Sequence, residues 1–282
     1  MKKLMAAALC LLMMAGCSDA YASVTNKNET VFKVGNTTVT RGQLYSYMQA
    51  QDGGYTAINT AMESILNAKV EITEEMSANA ESTMSMYESL LGESFESYMM
   101  SMGYPSLDAF KQDLIMNEQA SALTELYIEN NFESLCTTYA PRKVKIATFA
   151  DQESAGKAQA ALKDGKDFAE VSETYGNTGS KDSIIYTTQS SYPTAVTYAV
   201  SSLTEGMVSD VIANDNQTTF YVVVMEALNP ADFKDEAVSA IAGINTIASD
   251  AMLKAFAESG FNLYDKNLYD AISKNYPDYI AE

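Results

Sequence analysis

Residues Leu162 to Ser180 read LKDGKDFAEVSETYGNTGS. A helical pattern runs into Gly165, and a glycine just past the last periodic residue is a helix stop. A second short helix starts at once, with Phe168, Val171 and Tyr175 on one face. Working outward, Gln152 to Lys163 reads as the first helix, with Ala155, Ala158 and Leu162 facing one way. The KVKIATF run from Lys143 to Phe149 before it reads as a strand. On the other side, Ile184 to Thr187 reads as a short strand and Thr194 to Val200 as a short helix. FYVVVME from Phe220 to Glu226 reads as a buried strand, and ANDNQT at 213–218 as a hairpin turn. Pro141 and Asn229-Pro230 bracket these elements. Strand, helices, strand in this order is an α+β unit of about ninety residues, long enough for a domain.

Both flanks read differently. Val31 to Val34 and Thr37 to Val39 alternate as a hairpin around Gly35-Asn36. Thr40 with Gln43 forms a capping box that opens a helix. From there to about Phe132 the pattern is helical. Thr73 opens a stretch with acids in its first turn, Gly92 and Gly103-Tyr-Pro105 break it, and Ser106 caps the longest helix. Phe110, Leu114, Leu123, Leu126 and Tyr127 supply much of that helix's apolar stripe. After Pro230 the chain turns helical again, with Val238, Ile241, Ile244 and Ile247, then Leu253 and Phe256. An amphipathic tail of this kind needs a partner face. The nearest is the Met-rich region before Pro141, so the expected fold is α+β: a discontinuous, mainly helical domain at 31–140 plus 230–282, with an inserted α+β domain at 141–229.

The first residues carry an address. Lys2 and Lys3 precede an apolar run, Leu4 to Ala15, that is too short to span a bilayer permanently. It ends in Met14-Ala15-Gly16-Cys17, which resembles the lipobox of bacterial lipoproteins with Met in place of the usual Leu. The resemblance implies a signal peptide over 1–16, a lipid on Cys17 and a polar tether over 17–30. It places the protein on the extracytoplasmic side of a bacterial cell membrane. With 18 Lys+Arg against 37 Asp+Glu, no basic face for nucleic acid can be assembled. The chain has no histidine, and Cys136 is the one cysteine left after Cys10 and Cys17. That leaves no disulfide pair and no zinc site, and no metal or cofactor is expected. Cys136 beside Leu135 reads as a small core residue.

Two stretches resemble the parvulin-type prolyl isomerases. They are the helix–Gly–helix joint from Leu162 to Tyr175, and Leu203-Thr-Glu-Gly206-Met-Val208-Ser209 before the last strand. The hairpin, the long Met-rich helices and the lipoprotein start are similar to the PrsA-like foldases and to the helical chaperone domain of the SurA group. The family's site holds two histidines, on the first and last strands. Laid onto this sequence, those positions fall at Ile146 and near Tyr221. The family's acidic or cysteine position falls near Asn177 or Thr178, and its apolar pocket positions fall near Tyr192 and Val196.

Prolyl rotation breaks no bond, and its uncatalysed barrier is about 18–20 kcal/mol. A pocket speeds it by binding the twisted amide better than the planar one. Replacing histidines by Ile and Tyr keeps volume and removes a hydrogen-bond network. The expectation is therefore a membrane-anchored chaperone or foldase for unfolded exported polypeptides, with weak or absent isomerase activity. An active prolyl cis–trans isomerase, and a structural envelope lipoprotein with one dedicated partner, are the alternatives. The sequence leaves a homodimer open.

Overall fold

The computed structural model describes residues 24–34 and 37–280. The expected signal peptide and Cys17 lie outside the described residues. The fold is a mainly helical α+β architecture of two compact units. The first unit joins the residues up to Ala120 with those from Met252 onward, and the second is the intervening Ser121–Ala251.

The first unit begins with a two-stranded antiparallel ribbon, β1 (Thr30–Val34) and β2 (Thr37–Thr40). Helix α1 (Arg41–Met48) follows. The Thr40 side chain accepts from the Gln43 amide, and Gln43 accepts from the Thr40 amide, which closes the capping box. A π-helical turn, Gln49–Gly53, leads into α2 (Gly54–Lys69). Helix α3 (Glu74–Leu91) starts on the Thr73 cap, and a 3-10 turn at Gly92–Ser94 passes to α4 (Phe95–Ser101). Then comes α5 (Leu107–Asn130), whose start is capped by Ser106 Oγ accepting from the Ala109 amide at 3.1 Å. Phe95, Met99 and Phe110 are buried here, with Met84, Tyr87 and Leu91 of α3 packed on them. The Tyr87 and Phe95 rings each meet Phe110 edge-on.

The tail does pack on the front of the chain. Ile272 of α12 (Lys266–Asn275) is fully buried, lying 3.5 Å from where a Cβ on Gly54 would stand. A Cβ on Gly53 would meet Leu268 at 3.1 Å and Gln49 at 3.2 Å, so the tight approach is at Gly53, whereas a Cβ on Gly54 would make only ordinary contact. Tyr45 donates to Asp265 at 3.2 Å, and Lys69 pairs with Glu258 at 2.7 Å.

The second unit contains α6 (Phe132–Tyr139), β3 (Arg142–Phe149), α7 (Gln152–Lys163) and α8 (Phe168–Tyr175). These are followed by β4 (Ile184–Tyr186), α9 (Thr194–Ser202), β5 (Ile212–Ala213), β6 (Phe220–Ala227) and α10 (Lys234–Ala242). The sheet is antiparallel with strand order β4-β3-β6-β5.

Three details differ from the sequence reading. The compact units part inside α5 and inside α11 (Ile247–Ser259), not at the expected junctions 140/141 and 229/230. The reason is a cluster of Ile128, Leu135, Ile241 and Ile247, which draws both flanks of the sheet into the second unit. The helical tail is broken between α10 and α11. Leu126 is 42% exposed, and α5 turns Ile115 and Ile128 inward instead.

Candidate functional site

Strand alternation gives the sheet two different faces. One carries Ala147, Phe149, Phe220 and Val222 against Ala155, Ala158, Ala161 and Leu162 of α7 and Phe168 and Val171 of α8. This packing explains the opening joint. Gly165 sits at φ +83° with its amide donating to the Leu162 carbonyl, and the Lys166 amide reaches the Ala161 carbonyl at 3.1 Å. That closure ends α7. Asp167 caps α8 by accepting from the Ala169 and Glu170 amides. The turn brings the alanine face of α7 and the Phe168–Val171 face of α8 onto one side of the sheet.

The opposite face is the candidate site. Val144, Ile146, Val223 and Met225 line it, with Tyr186, Val196, Val200 and Ile212 packed above. Tyr192 and Tyr221 lie at its partly buried rim. Four of the five positions picked from sequence therefore come together: Ile146, Tyr192, Val196 and Tyr221. Ile146 is 4% exposed and Val196 is fully buried, so both are core side chains rather than wall groups open to a ligand. The Tyr192 ring stands edge-on to Tyr221 with centroids 6.4 Å apart, and Tyr186 lies 6.1 Å from Tyr192. Burial first, then the neighbouring Tyr221 and Tyr186, pushes the Tyr192 hydroxyl above its ordinary value. Tyr186 donates to Thr197 Oγ1 at 2.7 Å.

Asn177 stands apart from this cluster and does a different job. Its Oδ1 accepts from the Thr148 and Gly179 amides at 2.8 Å each, and its Nδ2 donates to Ser172 Oγ and to the Ser180 carbonyl. All of its hydrogen-bonding capacity is thereby spent inside the protein. The Thr178 amide reaches the Thr148 carbonyl at 2.9 Å. Beyond Val144, where β4 ends its pairing, this loop takes over the edge of β3. A Cβ on Gly179 would lie 2.9 Å from Thr148 Oγ1, so only glycine lets the loop come this close.

The pairing register adds a residue that sequence reasoning missed. The residue directly across from Tyr221 is Thr148, while Ile146 faces Val223. Thr148 shares the face of Ile146 by alternation. A sequence gives that alternation but not the partner across the ladder. The second motif stretch is held by its own contacts. Gly206, at φ +77°, donates to the Met225 carbonyl, and Ser209 Oγ accepts from the Val223 amide at 2.9 Å. Gln159 of α7 ties the Ser209 carbonyl and Asp210 to the helix.

Thr148, Tyr192 and Tyr221 each bring a hydroxyl to this side of the sheet. A hydroxyl both donates and accepts hydrogen bonds. These three can orient an amide carbonyl, but they provide no imidazole. Elsewhere, a thiol at Cys136 is pushed up by burial, with Arg142 offsetting part of the effect, so it is a poor nucleophile. The first unit contains a mainly apolar concavity of about 550 Å³ walled by Tyr45, Met48, Ala57, Ala61, Phe261 and Leu268.

Residues 130–238 match the PPIC-type PPIASE domain family, so the second unit is built around a parvulin-type domain. Two solved structures share the fold over most of the chain. The foldase protein PrsA from Streptococcus pneumoniae str. Canada MDR_19A superposes with a TM-score of 0.50 at 15% identity, covering 89% of this chain and 100% of that one. The peptidylprolyl isomerase (PrsA) from Bacillus cereus gives 0.50 at 15% identity, covering 89% and 99%. At that identity the likeness is one of fold. Among curated proteins, none matches the sequence.

Proposed function

We propose that this chain, with its PrsA-type fold and parvulin-type domain, is a foldase that holds unfolded exported polypeptides and has lost most or all of its isomerase activity. The observation that carries the reading is the Thr148–Tyr221 pair on the site face. Of the two positions where the resemblance calls for imidazoles, one is the buried Ile146 and the other is the phenol of Tyr221, with Thr148 across the ladder from it. Such a surface grips apolar and proline-containing segments by contact, and it offers little that binds a twisted amide better than a planar one. The apolar concavity beside Tyr45 and Phe261 supports peptide holding by the helical unit as well. A lipid on Cys17 keeps the protein at the outer side of the cell membrane, near emerging clients. Among the described residues, no helix is long and apolar enough to cross a membrane.

A proline-peptide isomerisation assay on the chain from Ser18, run beside aggregation suppression with several unrelated clients, tests this. The expected result is an isomerisation rate close to buffer together with suppression of most clients. Strong acceleration that disappears in Tyr221→Ala or Tyr192→Ala would establish the active isomerase, the reading that the family match favours. Suppression of none of the clients would favour a dedicated-partner lipoprotein.

A further inference from the structure

Helices α3 and α4 are apolar on two sides. Met84, Tyr87 and Leu91 turn inward onto Phe95, Met99 and Phe110. Met86 and Leu90, one helical turn apart on α3, point to solvent at 59% and 76% exposure. On α4 and just past it, Tyr98, Met100 and Met102 are also exposed, at 44%, 53% and 62%. Helix formation does not require this, because Glu, Gln or Lys would serve equally well at an exposed helical site. Leaving such side chains in water forgoes the gain from covering their apolar surface. Unbranched Met side chains reshape themselves around varied partners.

Charge identifies the partner. Residues 70–110 hold Glu71, Glu74, Glu75, Glu81, Glu88, Glu93, Glu96 and Asp108, and no Lys or Arg. The two lysines at the borders are already engaged: Lys69 pairs with Glu258 and Lys111 with Glu81. Glu88, Glu93 and Glu96 are exposed in the same turns as the uncovered Met and Leu side chains. A surface of one sign attracts opposite charge over several ångströms and repels its own.

Resting on the foldase reading above, we infer that α3 and α4 form a capture surface for unfolded segments in which Lys or Arg alternates with apolar side chains. The apolar side chains cover Met86 and Leu90, and the cations settle beside Glu88, Glu93 and Glu96. Segments equally apolar but acidic are turned away.

The test uses the full chain and a short fluorescent peptide with leucine and phenylalanine between lysines, alongside its twin with glutamate for lysine. The lysine peptide should bind at least about tenfold tighter. The preference should fade near 1 M salt, where charges are screened within about 3 Å. A Met86→Ser/Leu90→Ser variant should lose about tenfold in affinity for the lysine peptide. A Glu88→Gln/Glu93→Gln/Glu96→Gln variant should bind the two peptides alike. All five side chains are exposed, and unchanged circular dichroism verifies that each variant is folded. Equal binding of the twins by the wild-type chain, or wild-type preference in both variants, overturns the inference. If client aggregation is still suppressed in that case, the foldase reading stands without it; if the wild-type chain suppresses no client, both fall together.

Discussion

Two glycines on one helix should answer the same substitution with opposite signs. Gly156 lies within α7, and a Cβ there would meet nothing within 4 Å. Gly156→Ala should stabilise the helix by about 0.8–1.0 kcal/mol, since alanine loses less backbone freedom than glycine on folding. Gly165 follows the end of the same helix, and a Cβ there also meets nothing, but its φ is +83°. An L-residue in that left-handed region costs about 1–2 kcal/mol, of which the stiffer unfolded chain returns about 0.4–1 kcal/mol. Gly165→Ala is therefore destabilising, and the two variants should stand roughly 2 kcal/mol apart. Because the chain has two compact units, a single melting curve is a poor measure. Native-state hydrogen exchange at the amides of Ala158 and Ala161 reads the local opening of α7 instead. The expected separation between the variants is about thirtyfold in protection. Shifts of the same sign in both variants would refute the backbone argument, because neither site offers a new contact that could explain them.

Other outcomes follow from the same physics. Asn177→Ala leaves the Thr148 and Gly179 amides without their acceptor and should cost the second unit about 1–3 kcal/mol, seen as a lower urea midpoint. Ile146→Ala opens a cavity beneath Tyr192 and should cost about 2–5 kcal/mol; a smaller loss would mean that the face is loosely packed. Burial pushes the Glu226 carboxyl up, but hydrogen bonds from Lys145 and Ser183 and the charges of Lys145 and Lys143 outweigh it, so its value lies below normal. A lowered carboxylate stabilises the fold fully above its unfolded value of about 4.3, and that stability is lost as pH falls through the folded value. Urea midpoints taken between neutral pH and pH 3 should therefore fall more steeply for the wild-type chain than for Glu226→Gln, and equal slopes would contradict the assignment.

Much of the architecture is legible in short stretches. Thr40, Thr73, Ser106 and Gly165 mark helix ends because a cap or a left-handed stop acts within a few residues of itself. KVKIATF and the continuous apolar run FYVVVME mark both central strands, and the joint at Gly165 points to the parvulin-type domain matched over residues 130–238. The site was only partly legible. Ile146, Tyr192, Val196 and Tyr221 do converge, whereas Asn177 turned out to be a clasp between a loop and β3.

Sequence alone settled the local elements and the absence of imidazole, since each depends on neighbouring residues or on composition. Tertiary structure decided that Thr148 faces Tyr221, that Ile128 and Ile241 bind both flanks into the sheet's unit, and that the tail breaks between α10 and α11. Those outcomes depend on which distant segments meet. A pattern of period two or 3.6 says which side of an element is greasy, but it leaves open what will be pressed against it.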